Sequence, residues 1–375
     1  MRCVLTRKAR KTEERLGRPV LPRVAAALFC AGSYAVFAQC GPPAAGSTSL
    51  CASNSPSRPS VAAASLGDQQ TSGIQFVHSL DERWGDASPS TGQSLADGSG
   101  ARPLTLRVAG QGLGSTVGAT GFRSDSRTGT ARFGGDASQW SLFNSTDKLH
   151  LGAMGSYGPG RSGAGASGDA FDSTSRPSSG SAGVYSTWYQ DDRSRLGWYA
   201  DAYGQVAWMD NSAEAPWVNR TNYPSNAGMA SAEAGYSLQL GDTSPWTIKP
   251  QGQLIYLRSN NYNLADTQFT TVDGLRRNGW MSRLGVRVQP EGFQTWGLKL
   301  RPYAAANWWH DASSSEVIAN TYAPSALYPS NRYELKTGVN VDVSPGMAAW
   351  GDLGMQWGQQ SYQAWTVRAG MRYAW

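Results

Sequence analysis

Trp365-Thr366-Val367-Arg368-Ala369-Gly370-Met371-Arg372-Tyr373-Ala374-Trp375 alternates from its first residue to its last. Trp365, Val367, Ala369, Met371, Tyr373 and Trp375 share one parity. Thr366, Arg368, Gly370, Arg372 and Ala374 share the other. In a strand successive side chains point to opposite faces. One face here is apolar and ends on an aromatic; the other is polar and twice cationic. A soluble β-sandwich can own such a strand. So can a transmembrane β-barrel, whose strands turn an apolar face to lipid and a polar face to the lumen. The rest of the chain separates the two.

The 375 residues leave room for one large domain or two ordinary ones. Charged residues are 16% and hydrophobic residues 40%, with 44 Gly, 15 Trp and 16 Tyr. That profile argues against a helical protein, because Gly and aromatics are weak helix formers. It suits strands, aromatic girdles and glycine-rich loops. A mean hydropathy of −0.43 is compatible with a membrane barrel, since only half of each strand meets lipid. The net charge of +6 raises nucleic acid as a partner. Beyond the N-terminus no Lys/Arg cluster supports it, and the excess falls on alternating strand positions. A cationic lumen explains that better, and nucleic acid is set aside.

Residues 1–38 read as a secretory signal. Arg2, Arg7, Lys8, Arg10, Lys11, Arg15, Arg18 and Arg23 form a long basic front. The apolar stretch Val24–Ala38 is too short for a comfortable membrane span. Val36-Phe37-Ala38 offers small side chains where a signal peptidase reads, and a start codon placed too early would lengthen only the front. Gln39 before Cys40 is a poor match to a lipidation site. After processing, Cys40 and Cys51 are left as a pair able to close a small loop in an oxidising periplasm, or without a role. Residues 41–73 are rich in Ser, Ala, Gly and Pro and lack periodicity, so 39–73 reads as a disordered remnant of a passenger lost or encoded upstream, or as a very short passenger. Ile74, Val77, Leu80 and Trp84 then repeat at helical spacing, and Gly85 is a helix stop. A short lone helix is unstable in water, so it must lie against or inside something. Residues 74–102 are thus linker helix and connector.

From 103 to 375 the chain alternates strands and turns. Strands are expected near 103–113, 128–143, 148–157, 180–191, 195–210, 227–241, 244–257, 279–289, 296–310, 331–344, 346–358 and 361–375, an even number. Short connections carry turn chemistry, as in Asn144–Asp147, Asp191–Ser194, Gly241–Pro245, Gln289–Gly292 and Ser344–Gly346. Long ones fall between them, near 114–127, 158–179, 211–226, 258–278 and 311–330. Only the last connection, Gln359-Gln360, breaks the rule. Short on one side and long on the other is the asymmetry of an outer-membrane barrel, with turns in the periplasm and loops outside. A sandwich has no reason to sort its loops this way.

Parity then assigns the charges. Asp201, Glu233, Lys249, Arg283, Arg287, Lys299, Arg301, Arg368 and Arg372 face the lumen, and Asp201 and Glu233 are expected to pair with the lumen cations. Trp198, Trp208, Trp246, Trp308, Trp357 and Trp365 fall near strand ends, as interfacial anchors do. Of the three histidines, only His310-Asp311 suggests catalysis, and neighbours in a strand point apart. No metal-ligand spacing, phosphate loop or nucleophile motif is present, so the reading is no enzyme, no cofactor and no metal.

With these features in place the sequence resembles the C-terminal translocator β-barrel of type V autotransporters, over roughly 74–375. The carrying stretches are His78–Trp84, Gly197–Tyr203, Ile248–Tyr256, Asp273–Arg276, Arg283–Arg287, Arg301–Tyr303 with Trp309–Asp311, and Tyr373–Trp375. The resemblance implies a twelve-stranded barrel plugged by a helix that leads to a surface-exposed passenger. It implies that Val367, Ala369, Met371, Tyr373 and Trp375 form the signal read by the barrel assembly machinery. Family members that cut their passenger inside the barrel use an Asn in the linker, and Ile74–Arg102 contains none. One departure is large: only about thirty-five residues separate Gln39 from Ile74, where the family carries hundreds.

The expected fold is therefore all-β, a twelve-stranded antiparallel transmembrane β-barrel with a short α-helix in or below the lumen. The expected function is an outer-membrane barrel that anchors its N-terminal segment and translocates it to the cell surface. The rival reading is a barrel without a passenger, acting through its loops as an adhesin or pore. A soluble sandwich enzyme or binding module comes third. The partners expected are outer-membrane lipid and lipopolysaccharide, the assembly machinery and periplasmic chaperones, around a monomeric barrel.

Overall fold

The computed structural model describes residues 75–85, 105–119, 122–166, 173–215, 218–241, 246–261, 264–265, 271–319, 329–344 and 346–374. The signal region 1–38, the segment 39–73 with Cys40 and Cys51, Ile74, the connector 86–104 and Trp375 lie outside the described residues.

Twelve long strands form one closed antiparallel barrel. In chain order they are β1 (Thr105–Ala119), β2 (Phe122–Trp140), β3 (Lys148–Ala166), β4 (Ser178–Tyr189), β5 (Gly197–Ala215) and β6 (Val218–Leu240). β7 (Trp246–Asn261), β8 (Thr271–Pro290), β9 (Leu298–Asp311), β10 (Asn331–Ser344), β11 (Met347–Gly358) and β12 (Gln363–Ala374) follow. Each strand pairs with its sequence neighbours, and β12 closes on β1 from Thr105↔Ala374 to Thr116↔Gln363. Closure leaves no strand edge, and in lipid an unpaired backbone edge costs several kcal/mol per group.

The alternation of the last strand is realised as read. Trp365, Val367, Met371 and Tyr373 are about half exposed on the outer face, while Thr366, Arg368 and Arg372 are buried inward. On β5, Trp198, Val206 and Trp208 point out, and Tyr199, Asp201, Tyr203 and Gln205 point in. Trp198 and Trp208 are ten residues apart on that strand. At ~3.3 Å per residue and a tilt of about 40°, they lie roughly 25 Å apart across the bilayer, the height of an apolar band. Trp198 stacks edge-on against Tyr236 at the inner girdle, and Trp280 packs on Tyr256 at the outer one, both at 5.1 Å.

Two expectations need correction. The first is that the long connections are loops. The β1–β2 ladder runs on to Ala119↔Phe122, and the β5–β6 ladder to Ala215↔Val218. Ser314–Ala319 pairs with β8, and Ser173–Ser175 lies between β3 and β5. Most of 114–127, 158–166 and 211–226 is therefore strand rising beyond the bilayer. There the outward face meets water, so the apolar alternation that marks a lipid-facing strand is missing. The second is that the helix begins near Ile74. The only helical turn among the described residues there is α1 (Leu80–Trp84), preceded by a turn at Gln75-Phe76 and three residues without regular structure.

The short connections sit on the opposite rim. In the first, Asp147 accepts the backbone N–H groups of Leu142, Phe143 and Asn144 at 2.9–3.0 Å, and Trp188 Nε1 at 3.0 Å. That carboxylate closes the turn and ties it to β4.

The outer face makes a direct prediction. Leu254 points outward at mid-strand on β7. Leu254→Arg should destabilise the barrel by about 2–4 kcal/mol in a urea titration after refolding into phospholipid vesicles. An unchanged midpoint would mean that this face does not meet lipid.

Candidate functional site

The site is the interior, where residues 75–85 thread the barrel. Ser79 and Glu82 form a capping box that fixes the start of α1: Glu82 N donates to Ser79 Oγ at 3.3 Å, and Ser79 N donates to Glu82 Oε2 at 2.9 Å. Gly85, at a φ of 67°, ends it, and its N–H donates to the Asp81 carbonyl at 2.8 Å. A helix of five residues has no stability of its own, so the wall must hold it.

The wall holds it by charge. Asp81 lies 2.9 Å from Lys249 Nζ and 3.1 Å from Arg287, and accepts from Gln251 Nε2 at 3.2 Å. Glu82 pairs with Lys336, and with Arg368 at 2.8 Å. Arg83 pairs with Asp201 at 2.5 Å, and Asp201 also accepts from Thr187 Oγ1 at 2.5 Å. Three consecutive plug charges thus meet opposite charges from β5, β7, β8, β10 and β12. All are buried. An unpaired charge in such a place costs several kcal/mol, so the three side chains fix the plug's position and rotation.

The backbone and rings complete the fit. Leu80 N donates to Glu233 Oε2 at 3.0 Å, His78 N donates to Tyr203 OH at 3.2 Å, and Gln253 Nε2 donates to the His78 carbonyl at 2.8 Å. Trp84 packs on Tyr185 with centroids 5.4 Å apart. Its ring also lies where a Cβ on Gly134 of β2 would come within 2.6 Å, so that wall position must be small. The Arg83 guanidinium lies 4.8 Å from the Tyr185 ring centre and 5.1 Å from that of Tyr203.

The direction of the chain follows from its neighbours. Trp84 and Gly85 share a small cavity with Arg107, Asp136, His150 and Arg372, all toward the short-turn rim. Phe76 and Val77 join a buried cluster with Met209, Met229, Ile255, Leu257, Met281 and Trp309, toward the long-hairpin rim. Going back along the chain from Gly85, the polypeptide therefore climbs toward the outer rim.

Most of the charges assigned to the lumen lie there. Asp201, Glu233, Lys249, Arg283, Arg287, Arg301, Arg368 and Arg372 are all buried inward. Lys299 has the lumen parity but sits exposed at the short-turn mouth, beside a cavity also lined by Arg287 and Arg301. Glu233 pairs with Arg283 at 3.0 Å, within the expected set of cations. Asp201 does not: its cation is Arg83 of the plug. Lys249 and Arg287 go to Asp81, and Arg301 goes to Asp342 at 2.9 Å. Of the linker residues, Val77, Leu80 and Trp84 are buried inside the barrel. Sequence reasoning missed Asp81, Glu82 and Arg83 as ligands of the wall. It also missed Arg132, whose Nη2 lies 2.6 Å from His78 Nε2. The Ser-x-x-Glu capping signal was there to be read.

The histidines have local partners. His150 Nε2 lies 2.7 Å from Asp192, and His310 Nδ1 lies 3.0 Å from Asn331 Oδ1. Asp311, its neighbour, turns inward to Arg277. Among the described residues no cluster of His, Cys, Asp or Glu could hold a metal ion.

Known proteins share this architecture. Residues 104–354 match the family model described as the autotransporter beta-domain. The uncharacterized protein YdeU of Escherichia coli K12 is 29% identical over 319 residues, covering 80% of this chain and 66% of that protein. The autotransporter adhesin AIDA-I of Escherichia coli is 26% identical over 205 residues, covering 52% of this chain but 16% of the adhesin. The chain thus spans about two thirds of the one relative and about a sixth of the other. The crystal structure of the AIDA-I transport unit superposes with a TM-score of 0.69 at 19% identity, covering 84% of this chain and 99% of that unit, which shows a common fold. A closed twelve-stranded wall, an internal plug and a family match over two thirds of the sequence converge: this outer-membrane β-barrel belongs to the autotransporter beta-domain family.

Proposed function

We propose that the barrel carries the polypeptide preceding Gln75 outward through its lumen and then keeps residues 78–85 as a plug that anchors the exported segment. The observation that supports this most is the three-way charge match of Asp81, Glu82 and Arg83. A segment merely collapsed into the lumen would not have each charge opposed. A plug whose C-terminal end faces the short-turn rim, and whose chain rises from there to the outer rim, has the path an exported chain would leave behind. The division into signal 1–38, short segment 39–73, linker 74–102 and barrel 103–375 fits the same reading.

The role is that of a transporter and not of an enzyme. The buried carboxylates Asp81, Glu82, Asp201 and Glu233 are each opposed by a cation or by backbone N–H, as structural charges in a polar lumen are. The outward face of β12, with Val367, Ala369, Met371 and Tyr373, fits recognition by the assembly machinery after escort by periplasmic chaperones. Outer-membrane lipid and lipopolysaccharide are the surroundings of the finished barrel.

Two outcomes test this. An epitope tag placed beside Ser55 should label on intact cells; a tag detected only after permeabilisation would contradict export and favour a barrel working through its outer hairpins. Tyr373→Asp should cut the outer-membrane level several-fold while secretion to the periplasm continues, read by membrane fractionation. Unchanged levels would make β12 only another strand of the wall.

A further inference from the structure

The plug uses the inner half of the lumen, and the outer half has a different chemistry. On β2 the run Arg123-Ser124-Asp125-Ser126-Arg127-Thr128-Gly129-Thr130 splits by parity. Its charges, Arg123, Asp125 and Arg127, are exposed on the outside of the hairpin. Its hydroxyls, Ser124, Ser126, Thr128 and Thr130, are buried on the lumen side. Ser156, Ser179 and Ser181 extend this surface across β3 and β4. Gln205 and Asn211 of β5 border it, through Gln205 Nε2 to Ser181 Oγ at 2.7 Å and Asn211 Nδ2 to Ser225 Oγ at 2.8 Å.

Some of these groups are buried without a partner. Ser124 is 2% exposed, and Ser126 and Thr130 are 5% exposed, yet none of their hydroxyl oxygens has a hydrogen bond. The Gln205 and Asn211 side-chain carbonyls are buried and unbonded as well. Other unbonded buried atoms lie round the lumen, most of them on charged side chains, but the hydroxyls among them, Ser124, Ser126 and Thr130, all belong to β2. Buried polar groups are normally satisfied, so these three point to something that satisfies them in use.

We propose that this wall is a binding track for extended polypeptide backbone, occupied by the part of this chain that precedes Gln75. The inference rests on the export reading and adds which wall guides the chain. Two features fit that occupant. Lumen-facing residues on β2 recur every two positions, about 6.6 Å apart, and an extended chain presents its N–H and C=O groups to one side at the same interval. A hydroxyl both donates and accepts and can rotate, so it serves either backbone group as the chain advances. A charged wall would hold back residues of opposite sign and exclude those of like sign. The segment itself is suited to a neutral track: residues 59–73 carry one charge, Asp68. The opposite wall, around Met229 and Leu257, already packs with Phe76 and Val77 in one apolar cluster.

The test uses the full chain with Cys40→Ser and Cys51→Ser. Ser72→Cys is combined with either Ser126→Cys on the hydroxyl wall or Leu257→Cys on the apolar wall, and disulfide yield is measured in folded, membrane-inserted protein. The yield with Ser126→Cys should exceed that with Leu257→Cys several-fold; an equal or reversed ratio overturns the track. In a second arm, Ser124→Ala, Ser126→Ala and Thr130→Val together should slow surface appearance of the Ser55 tag several-fold in pulse-chase. An unchanged rate in a variant that inserts normally also overturns it. If the tag does not reach the surface in the parent protein, export itself fails. If it does, and the yields or rates go the other way, only the track fails.

Discussion

The structure depends on the match between Asp81-Glu82-Arg83 and the charges of the wall. The buried wall charges are predominantly cationic and would repel one another without the plug. Lys249, Arg287, Lys336 and Arg368 each lie against a plug carboxylate, and Asp201 against the plug arginine. Removing one partner of a buried pair costs about 3–5 kcal/mol, because the other charge remains. Five strands contribute to the match, so the plug also braces the wall from within.

Around that centre the barrel is organised by height as well as by face. Outward, an apolar band lies between two aromatic girdles and meets lipid. Inward, the half near the short turns holds most of the charge, and the outer half on β2 to β5 is lined by hydroxyls and amides. Met229, Ile255, Leu257, Met281 and Trp309 cover the facing side with Phe76 and Val77. A strongly charged inner half suits a segment that stays. A neutral wall on β2 to β5 suits a segment that passes.

The faces were legible in the sequence because a strand's period is two and lipid and lumen demand opposite chemistry. Val367, Met371 and Tyr373 could be placed outside, and Arg368 and Arg372 inside, from parity alone. The count of strands followed from the turns. The outer hairpins were read as loops because their outward face is wet: Arg123, Asp125 and Arg127 need no apolar alternation, although the ladder continues through them. The helix was drawn too long because the spacing of Ile74, Val77, Leu80 and Trp84 does not separate a continuous helix from a turn and irregular residues leading into a short one. Ser79 and Glu82 mark the true start. The charge match was not legible. Asp81 and Lys249 are 168 positions apart, and parity says which charges enter the lumen but not which of them meet.

The hold of matched charge on the plug is tested most directly by a double-mutant cycle on Arg83 and Asp201, read as single-channel conductance of the full chain in planar bilayers. Arg83→Ala and Asp201→Asn should each loosen the plug and raise the open probability, with the heat-modifiable shift on gels unchanged. The double variant should fall back toward the parent, giving a coupling of about 3 kcal/mol or more for a buried pair. Single variants that conduct like the parent, or effects that simply add, would contradict the claim that matched charge holds the plug.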